Sequence, residues 1–149
     1  MPVTREVLDH GERSRLCASV LGELPEWFGI EEATASYIRD VAELTTFAVG
    51  VDGFLSVKVH TPRAAEVYVM GVRPHRHRQG LGGALLAAAE EHLRAAGVEL
   101  LQVKTLGPSR PSEEYERTRR FYEACSFVAL EEIHGLWDGN PCLLMVKTL

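Results

Sequence analysis

Cys17, Cys125 and Cys142 are the only thiols in 149 residues. They are scattered, odd in number and form no Cys-x-x-Cys pair, which excludes a disulfide framework and a paired-cysteine metal motif. They read as buried thiols of a reducing compartment. Long apolar runs are also missing. The most apolar helical stretch, GLGGALLAAA, runs straight into Glu90 and Glu91, so it is too short and too charged to span a bilayer. The first residues, MPVTREVLDHGER, hold no apolar stretch of the kind a secretory signal carries. A cytoplasmic protein with no membrane partner is expected. Basic charge is scarce: 16 Lys and Arg stand against 21 Asp and Glu, for a net charge of −5. That balance does not suit a general nucleic-acid binder. No repeat, low-complexity tract or linker rich in Pro, Gly or Ser divides the chain, so residues 1–149 are expected to form one domain.

Against this acidic background one local run is basic. Arg73, Arg76 and Arg78 lead into HRHRQGLGGALLAAAEEHL, residues 75 to 93. Positive charge and glycine at a helix start make a site for an anion. The first backbone N–H groups of a helix have no partner inside it, the helix dipole adds partial positive charge there, and glycine lets a ligand approach the backbone. Phosphate or pyrophosphate is the ligand such a site takes. His75 and His77 lie two residues apart but have no third ligand in a Cys/His cluster, so no metal site is expected.

The pattern along the chain gives a coarse set of elements. A first helix is expected in Asp9–Leu24, with Leu16, Val20 and Leu24 on one stripe, and a second over residues 31 to 44. FAVGVD and GFLSVKVH read as a hairpin meeting at Asp52-Gly53, and AEVYVMGV, residues 65 to 72, as a strand ended by Pro74. The helix after the glycines stops at Gly97. LLQVKTL follows as a strand, EEYERTRRFYEAC as a helix capped by Ser112, and FVALEEI and CLLMVKTL as closing strands. This order predicts a mixed α/β fold built on one central sheet.

Two nucleotide-binding readings of the glycine segment fail. A Walker loop needs Gly-Lys-Ser/Thr where this chain has Gly-Gly-Ala. A dinucleotide fingerprint needs glycine or alanine where Leu85 stands, and an acidic ribose partner that LLQVKTL does not offer. Val72-Arg73-Pro74 followed by His77-Arg78-Gln79-Gly80-Leu81-Gly82 instead resembles the pyrophosphate loop of the GNAT superfamily of N-acetyltransferases, whose motif is Arg/Gln-x-x-Gly-x-Gly/Ala after a strand ending in Val-x-Pro. TRRFYEACSF, residues 118 to 127, resembles that superfamily's second signature. The likeness covers the chain from about Phe47 onward. Two positions depart from the pattern: His77 stands for the usual Arg or Gln, and Ser126 for the glycine of a Gly-Phe pair, where a positive φ would cost a serine energy.

The resemblance implies a mixed, mostly antiparallel central sheet with helices on both faces. It implies direct transfer of an acetyl group from acetyl-CoA to a primary amine of a small molecule or peptide. The backbone from Arg78 through Gly83, including Gln79, Gly80, Leu81 and Gly82, would hold the pyrophosphate, with His77 as a further donor. Met70, Gly71 and Val72 would hold the pantetheine arm, Gly71 marking the bulge that splays the strand from its neighbour. A strand amide facing the thioester oxygen would lower the barrier by about 3 kcal/mol. Tyr122 maps to the general acid, the alternative being a core tyrosine. Tyr115 is either a cofactor contact or packing. Alternation puts Glu66, Tyr68, Met70 and Val72 on one face, and Glu66 is either the base or a salt-bridged strand residue. Trp27 and Phe28, with Glu26, Glu31 and Glu32, suit a cationic amine, or else the aromatics plug the core and the acids face water; Tyr68 is a further polar group on the Glu66 face. Arg117, Arg119 and Arg120 reach the cofactor's outer phosphate or face solvent, and Trp137 anchors a turn. Dimers are common in the superfamily, so a homodimer is compatible with this assignment. The rivals are an acyl-CoA-binding module without turnover and a regulatory adaptor with an anion site.

Overall fold

A short edge strand, β1 (Arg5–Glu6), opens the computed structural model, which describes residues 2–149. Helices α1 (His10–Leu21) and α2 (Glu31–Asp40) follow, then β2 (Thr45–Val49), β3 (Gly53–Thr61) and β4 (Ala64–Val72). The remainder alternates: α3 (Leu81–Ala95), β5 (Leu100–Leu106), α4 (Glu113–Ala124), β6 (Val128–Trp137) and β7 (Asn140–Thr148). The strands make one seven-stranded sheet in the order β1-β2-β3-β4-β5-β7-β6. All neighbours are antiparallel except β4 and β5, which run parallel. This is the expected mixed, mostly antiparallel α/β sheet with helices on both faces.

Local chemistry sets the helix ends. Asp9 caps α1 by accepting from Glu12 N at 2.7 Å, and Ser112 caps α4 by accepting from Tyr115 N at 3.3 Å. Gly97, at φ +88°, ends α3 in the left-handed conformation that a residue with a Cβ adopts at a cost. The first two helices are shorter than expected. The chain after α1 folds into turns bonded to Val20 O and Leu21 O, and α2 tightens into a 3-10 turn over Val41–Glu43. The hairpin turn lies at residues 50–52 rather than at Asp52-Gly53: Val49 pairs with Gly53, and Gly50 takes a φ of +53°.

The core has two halves. Leu81, Leu85, Leu86 and Leu93 of α3 pack with Tyr122 of α4 on one face, over Leu55, Val67, Leu101 and Val103. Leu16, Cys17, Val20 and Leu21 of α1 cover the other face, against Phe54 and Val69. Burying these apolar side chains drives the assembly, and each fully buried one contributes about 1.5–3 kcal/mol.

Two irregularities in β4 shape everything that follows. Ser56 pairs with Val69 but Val57 pairs with Val67, so Tyr68 is an extra residue in the ladder. Such a bulge resets the alternation of faces. Val67 packs on the α3 side and Val69 on the α1 side; Met70 and Val72 then return to the α3 side, while Tyr68 packs on the α1 side. The expected shared face of Glu66, Tyr68, Met70 and Val72 is therefore split in two. The bulge is at Tyr68 and not at Gly71, which pairs regularly with Phe54. Gly71 answers a different need, because a Cβ there would come within 3.0 Å of Val20 Cγ1 and 3.1 Å of Leu24 Cδ1. It lets α1 lie close on the strand. The second irregularity is a parting of strands. The β4–β5 ladder runs from Ala64–Leu100 to Val67–Val103 and then stops, although both strands continue.

Candidate active site

The parted strands open onto a cavity of about 680 Å³. Its walls come from both sides of the sheet. Met70, Gly71 and Val72 of β4 form one edge, and Lys104, Thr105 and Leu106 of β5 the other. Tyr115, Phe121 and Tyr122 of α4 and the start of α3 lie on one side, and Leu24, Trp27, Phe28 and Tyr37 on the other. Beyond Val67, β4 has no β5 neighbour, so backbone groups on that edge are free to bond an extended ligand.

At one end of the cavity the chain turns into α3 through two left-handed residues, Arg78 at φ +61° and Gly80 at φ +81°. A non-glycine residue in that region costs energy and marks a constrained turn. The helix starts with Leu81, Gly82 and Gly83, whose N–H groups lie in the unpartnered first turn, whereas Ala84 N already bonds Gly80 O at 3.1 Å. A Cβ on Gly83 would meet nothing within 4 Å, and one on Gly82 would press against the Phe121 ring at 3.1 Å. Arg78, Arg117 and Arg120 line the same cavity. Amides, helix dipole and guanidinium groups together fit a pyrophosphate. Arg119 turns away and donates to Leu106 O at 2.7 Å, which fastens α4 to β5.

The loop before α3 is braced from behind. Arg76 bonds Asp52, and its Nε donates to Gln79 Oε1 at 2.9 Å; Gln79 in turn donates to His75 O at 3.1 Å. Gln79 is thus the one expected cofactor residue that does not line the cavity. His77 lines it, but its Nε2 donates back to Val72 O at 2.7 Å and its ring meets Trp27 edge-on, with centroids 5.9 Å apart. A carbonyl only accepts, so Nε2 carries the proton.

Trp27 closes the other side. Its Nε1 donates to Thr118 Oγ1 at 3.0 Å, and its carbonyl accepts from Tyr115 OH at 2.6 Å. Burial pushes the Tyr115 pKa up to about 12. Tyr122 is buried against Phe121 and Phe127, and burial raises its hydroxyl well above the usual phenol value. One atom is out of keeping with this well-bonded wall. Thr105 Oγ1 is the one fully buried side-chain polar atom without a hydrogen-bond partner among the described residues.

A second cavity of about 300 Å³ lies on the α2 side of the sheet, lined by Ser36, Tyr37, Lys58, His60, Glu66, Tyr68, Lys104 and Trp137. It shares Tyr37, Tyr68, Lys104 and Trp137 with the larger cavity. Glu66 lies here, and the Tyr68 bulge explains why: Glu66 faces α2 while Met70 faces α3. His60 Nε2 lies 2.6 Å and Lys104 Nζ 3.5 Å from Glu66 Oε1. Tyr68 donates from its hydroxyl to Asp40 Oδ2 at 2.5 Å, which lowers the Asp40 pKa, while burial raises that of Tyr68. Glu31 lines neither cavity. Ser126 does take the costly angle, with φ +76°, after α4. Sequence reasoning passed over Lys104 and Thr105, and gave Trp137 only a turn although it borders both cavities. A turn beside Trp137 is a short-range signal, but what its ring faces is set by strand packing.

Comparison with known proteins gives a consistent result. Residues 41–129 match the acetyltransferase (GNAT) domain family. A curated relative, the mycothiol acetyltransferase of Kytococcus sedentarius, is 30% identical over 72% of this chain, which spans only 35% of that relative's length. The chain thus covers little more than a third of that protein. Among solved structures, an acetyltransferase of the GNAT family from Desulfovibrio desulfuricans superposes with a TM-score of 0.81 at 21% identity, covering 98% of both chains. The PaiA N-acetyltransferase of Thermoplasma acidophilum, solved in complex with coenzyme A, gives a TM-score of 0.72 at 16% identity over 99% of both chains.

Proposed function

Because the chain belongs to the GNAT acetyltransferase family, we propose that it moves an acetyl group from acetyl-CoA to a primary amine of a small molecule or peptide, by direct transfer. The observation that carries this reading is the parting of β4 and β5 after Val67 and Val103, directly beside the free amides of α3. An acyl-thioester with a pyrophosphate tail has the length and chemistry to use both features. The names of the relatives support an amine acceptor, and coenzyme A in a structural neighbour supports the donor.

In this reading the amides from Arg78 to Gly83 hold the pyrophosphate, and the open edge of β4 at Met70, Gly71 and Val72 holds the pantetheine arm. Trp27 and Tyr115 cover the arm, and His77 steadies the end of β4. The thioester supplies an activated acyl carbon. Glu66 takes a proton from the acceptor's ammonium in the smaller cavity, where it borders the larger one at Tyr37, Tyr68, Lys104 and Trp137. The Tyr122 hydroxyl, kept protonated by its burial, gives its proton to the leaving sulfur, so that coenzyme A leaves as the thiol, and regains one from the proton that the new amide nitrogen sheds. The C–S bond breaks as the C–N bond forms. Tyr68 and Phe28 line the acceptor side. Residues 1–149 work as one domain in the cytoplasm, alone or as a homodimer.

The pairing of Glu66 with His60 and Lys104 favours a second reading, an acyl-CoA-binding module without turnover. Calorimetric titration with acetyl-CoA, using ATP as control, tests the common premise. Saturable one-site binding of acetyl-CoA and none of ATP is expected. Equal binding of both would reduce the loop to a generic anion site. Release of free thiol with an amine present then separates enzyme from module.

A further inference from the structure

Lys58 of β3 and Glu66 of β4 are directly opposite in the antiparallel register. Opposite charges at such a position ordinarily pair. Here they do not. Glu66 is bonded to His60 and Lys104, both at Oε1. Lys58 forms no ion pair among the described residues, and its Nζ lies over the Tyr68 ring, 5.6 Å from the centroid. Asp40, whose carboxyl feels the Lys58 charge, is engaged by the Tyr68 hydroxyl and by Arg39.

The other Glu66 oxygen is the complement. Oε2 has no hydrogen bond among the described residues, yet it is not among their fully buried unpaired atoms, of which Thr105 Oγ1 is the sole example. It therefore opens into the smaller cavity that Glu66 lines. That cavity offers one open carboxylate oxygen on the buried Glu66 and one unpaired ammonium on the exposed Lys58, and Tyr37, Tyr68 and Trp137 also line it. At about 300 Å³ it is at the small end for a ligand site. The lining holds two lysines, one histidine and a single carboxylate already shared by two partners. Such a wall disfavours a polycation.

We propose that the acceptor is a small amine that also carries a carboxylate, an amino acid or dipeptide, with its amine at Glu66 Oε2 and its carboxylate at Lys58. This rests on the acetyltransferase reading above. Lys58 is then a specificity-determining residue: it selects the acceptor without touching the acyl donor. Lys104 does not compete for the role, because it is held on Glu66.

The test uses the intact protein, acetyl-CoA and a free-thiol assay. The acceptors are the amino acids and a set of dipeptides, each beside its C-terminal amide, together with spermidine and kanamycin as polycations. The best acid is expected to exceed its own amide by at least about tenfold in kcat/KM, the scale of one charge-assisted hydrogen bond. Lys58→Met should abolish that preference by raising the acid's KM, so that acid and amide are turned over with equal kcat/KM. Lys58→Glu should reverse it. Lys58 is exposed, so Lys58→Met leaves folding intact, whereas Lys58→Glu sets a like charge opposite Glu66, and its Tm is measured beside the kinetics. Equal or better turnover of amides or polycations overturns the proposal, as does a Lys58→Met variant that keeps the preference, or turnover of no carboxylated amine at all. If acetyl-CoA still binds in calorimetry, any of these outcomes leaves the donor assignment standing. If acetyl-CoA does not bind, both fall.

Discussion

Val67 and Val103 form the last rung of the parallel ladder between β4 and β5. Two residues further along β5 is Thr105, buried and with its hydroxyl unbonded. An unsatisfied buried hydroxyl costs about 1–3 kcal/mol. Thr105→Val, of nearly the same shape, removes that cost. Its Tm is expected to rise by about 2–4 °C for each kcal/mol removed in a chain of this size. If the hydroxyl turns about χ1 to meet the acyl donor, the same variant binds acetyl-CoA several-fold more weakly. Differential scanning fluorimetry and calorimetry read the two effects separately. A fall in Tm would mean that the hydroxyl has a partner in the free protein.

Gly83 gives a second case of opposed signs. A methyl group at this position meets nothing within 4 Å among the described residues and projects into open space beside the cavity. Glycine inside a helix costs roughly 1 kcal/mol relative to alanine. Gly83→Ala should therefore raise Tm slightly and weaken acetyl-CoA binding by about tenfold or more, because a Cβ stands where the pyrophosphate approaches the backbone. Unchanged affinity would move the pyrophosphate elsewhere.

Glu66 lies outside the larger cavity. Removing its charge should leave the donor site intact and stop proton removal. Glu66→Gln is expected to lower kcat by about 100-fold with no change in the acetyl-CoA dissociation constant. Steady-state kinetics beside calorimetry checks both halves. A variant with full kcat would assign proton removal to solvent.

The buried tyrosines predict alkaline sensitivity. Tyr115 is raised from 10.0 to about 12 by burial, and Tyr122 and Tyr68 shift the same way. Above pH 10 the unfolded chain loses these protons while the folded protein keeps them. Stability is therefore complete below that pH and declines between pH 10 and about 12, in the window set by Tyr115. Tyr115→Phe should flatten the decline, read as denaturant midpoints from about pH 9 to about pH 11.

The parts of the site that are local in sequence could be read from it. The glycines of the α3 turn, the Ser112 cap and the Gly97 stop are short-range signals, and each stands where the pattern puts it. The Tyr68 bulge could not be read, because it exists only in the register between β3 and β4. Strict alternation therefore placed Glu66 with Met70, and the bulge turned them to opposite faces. Strand β1 is two residues long, too short for any periodicity. Lys104 and Trp137 join the site from β5 and β6, and nothing near either in the sequence marks what it faces. Glu31 and Gln79 lie close in sequence to residues of the site, yet neither lines the larger cavity.

The central claim is that the parted strands and the start of α3 hold one acyl-CoA molecule between them. Backbone amide shifts in a nitrogen-15 correlation spectrum, followed as acetyl-CoA is added, test this most directly. The account predicts that the largest changes fall on the amides of Leu81, Gly82 and Gly83 and on those of Met70 and Val72, with Thr105 and Tyr122 following. Shifts confined to exposed arginines and their neighbours, with β4 and the α3 amides unmoved, would contradict it.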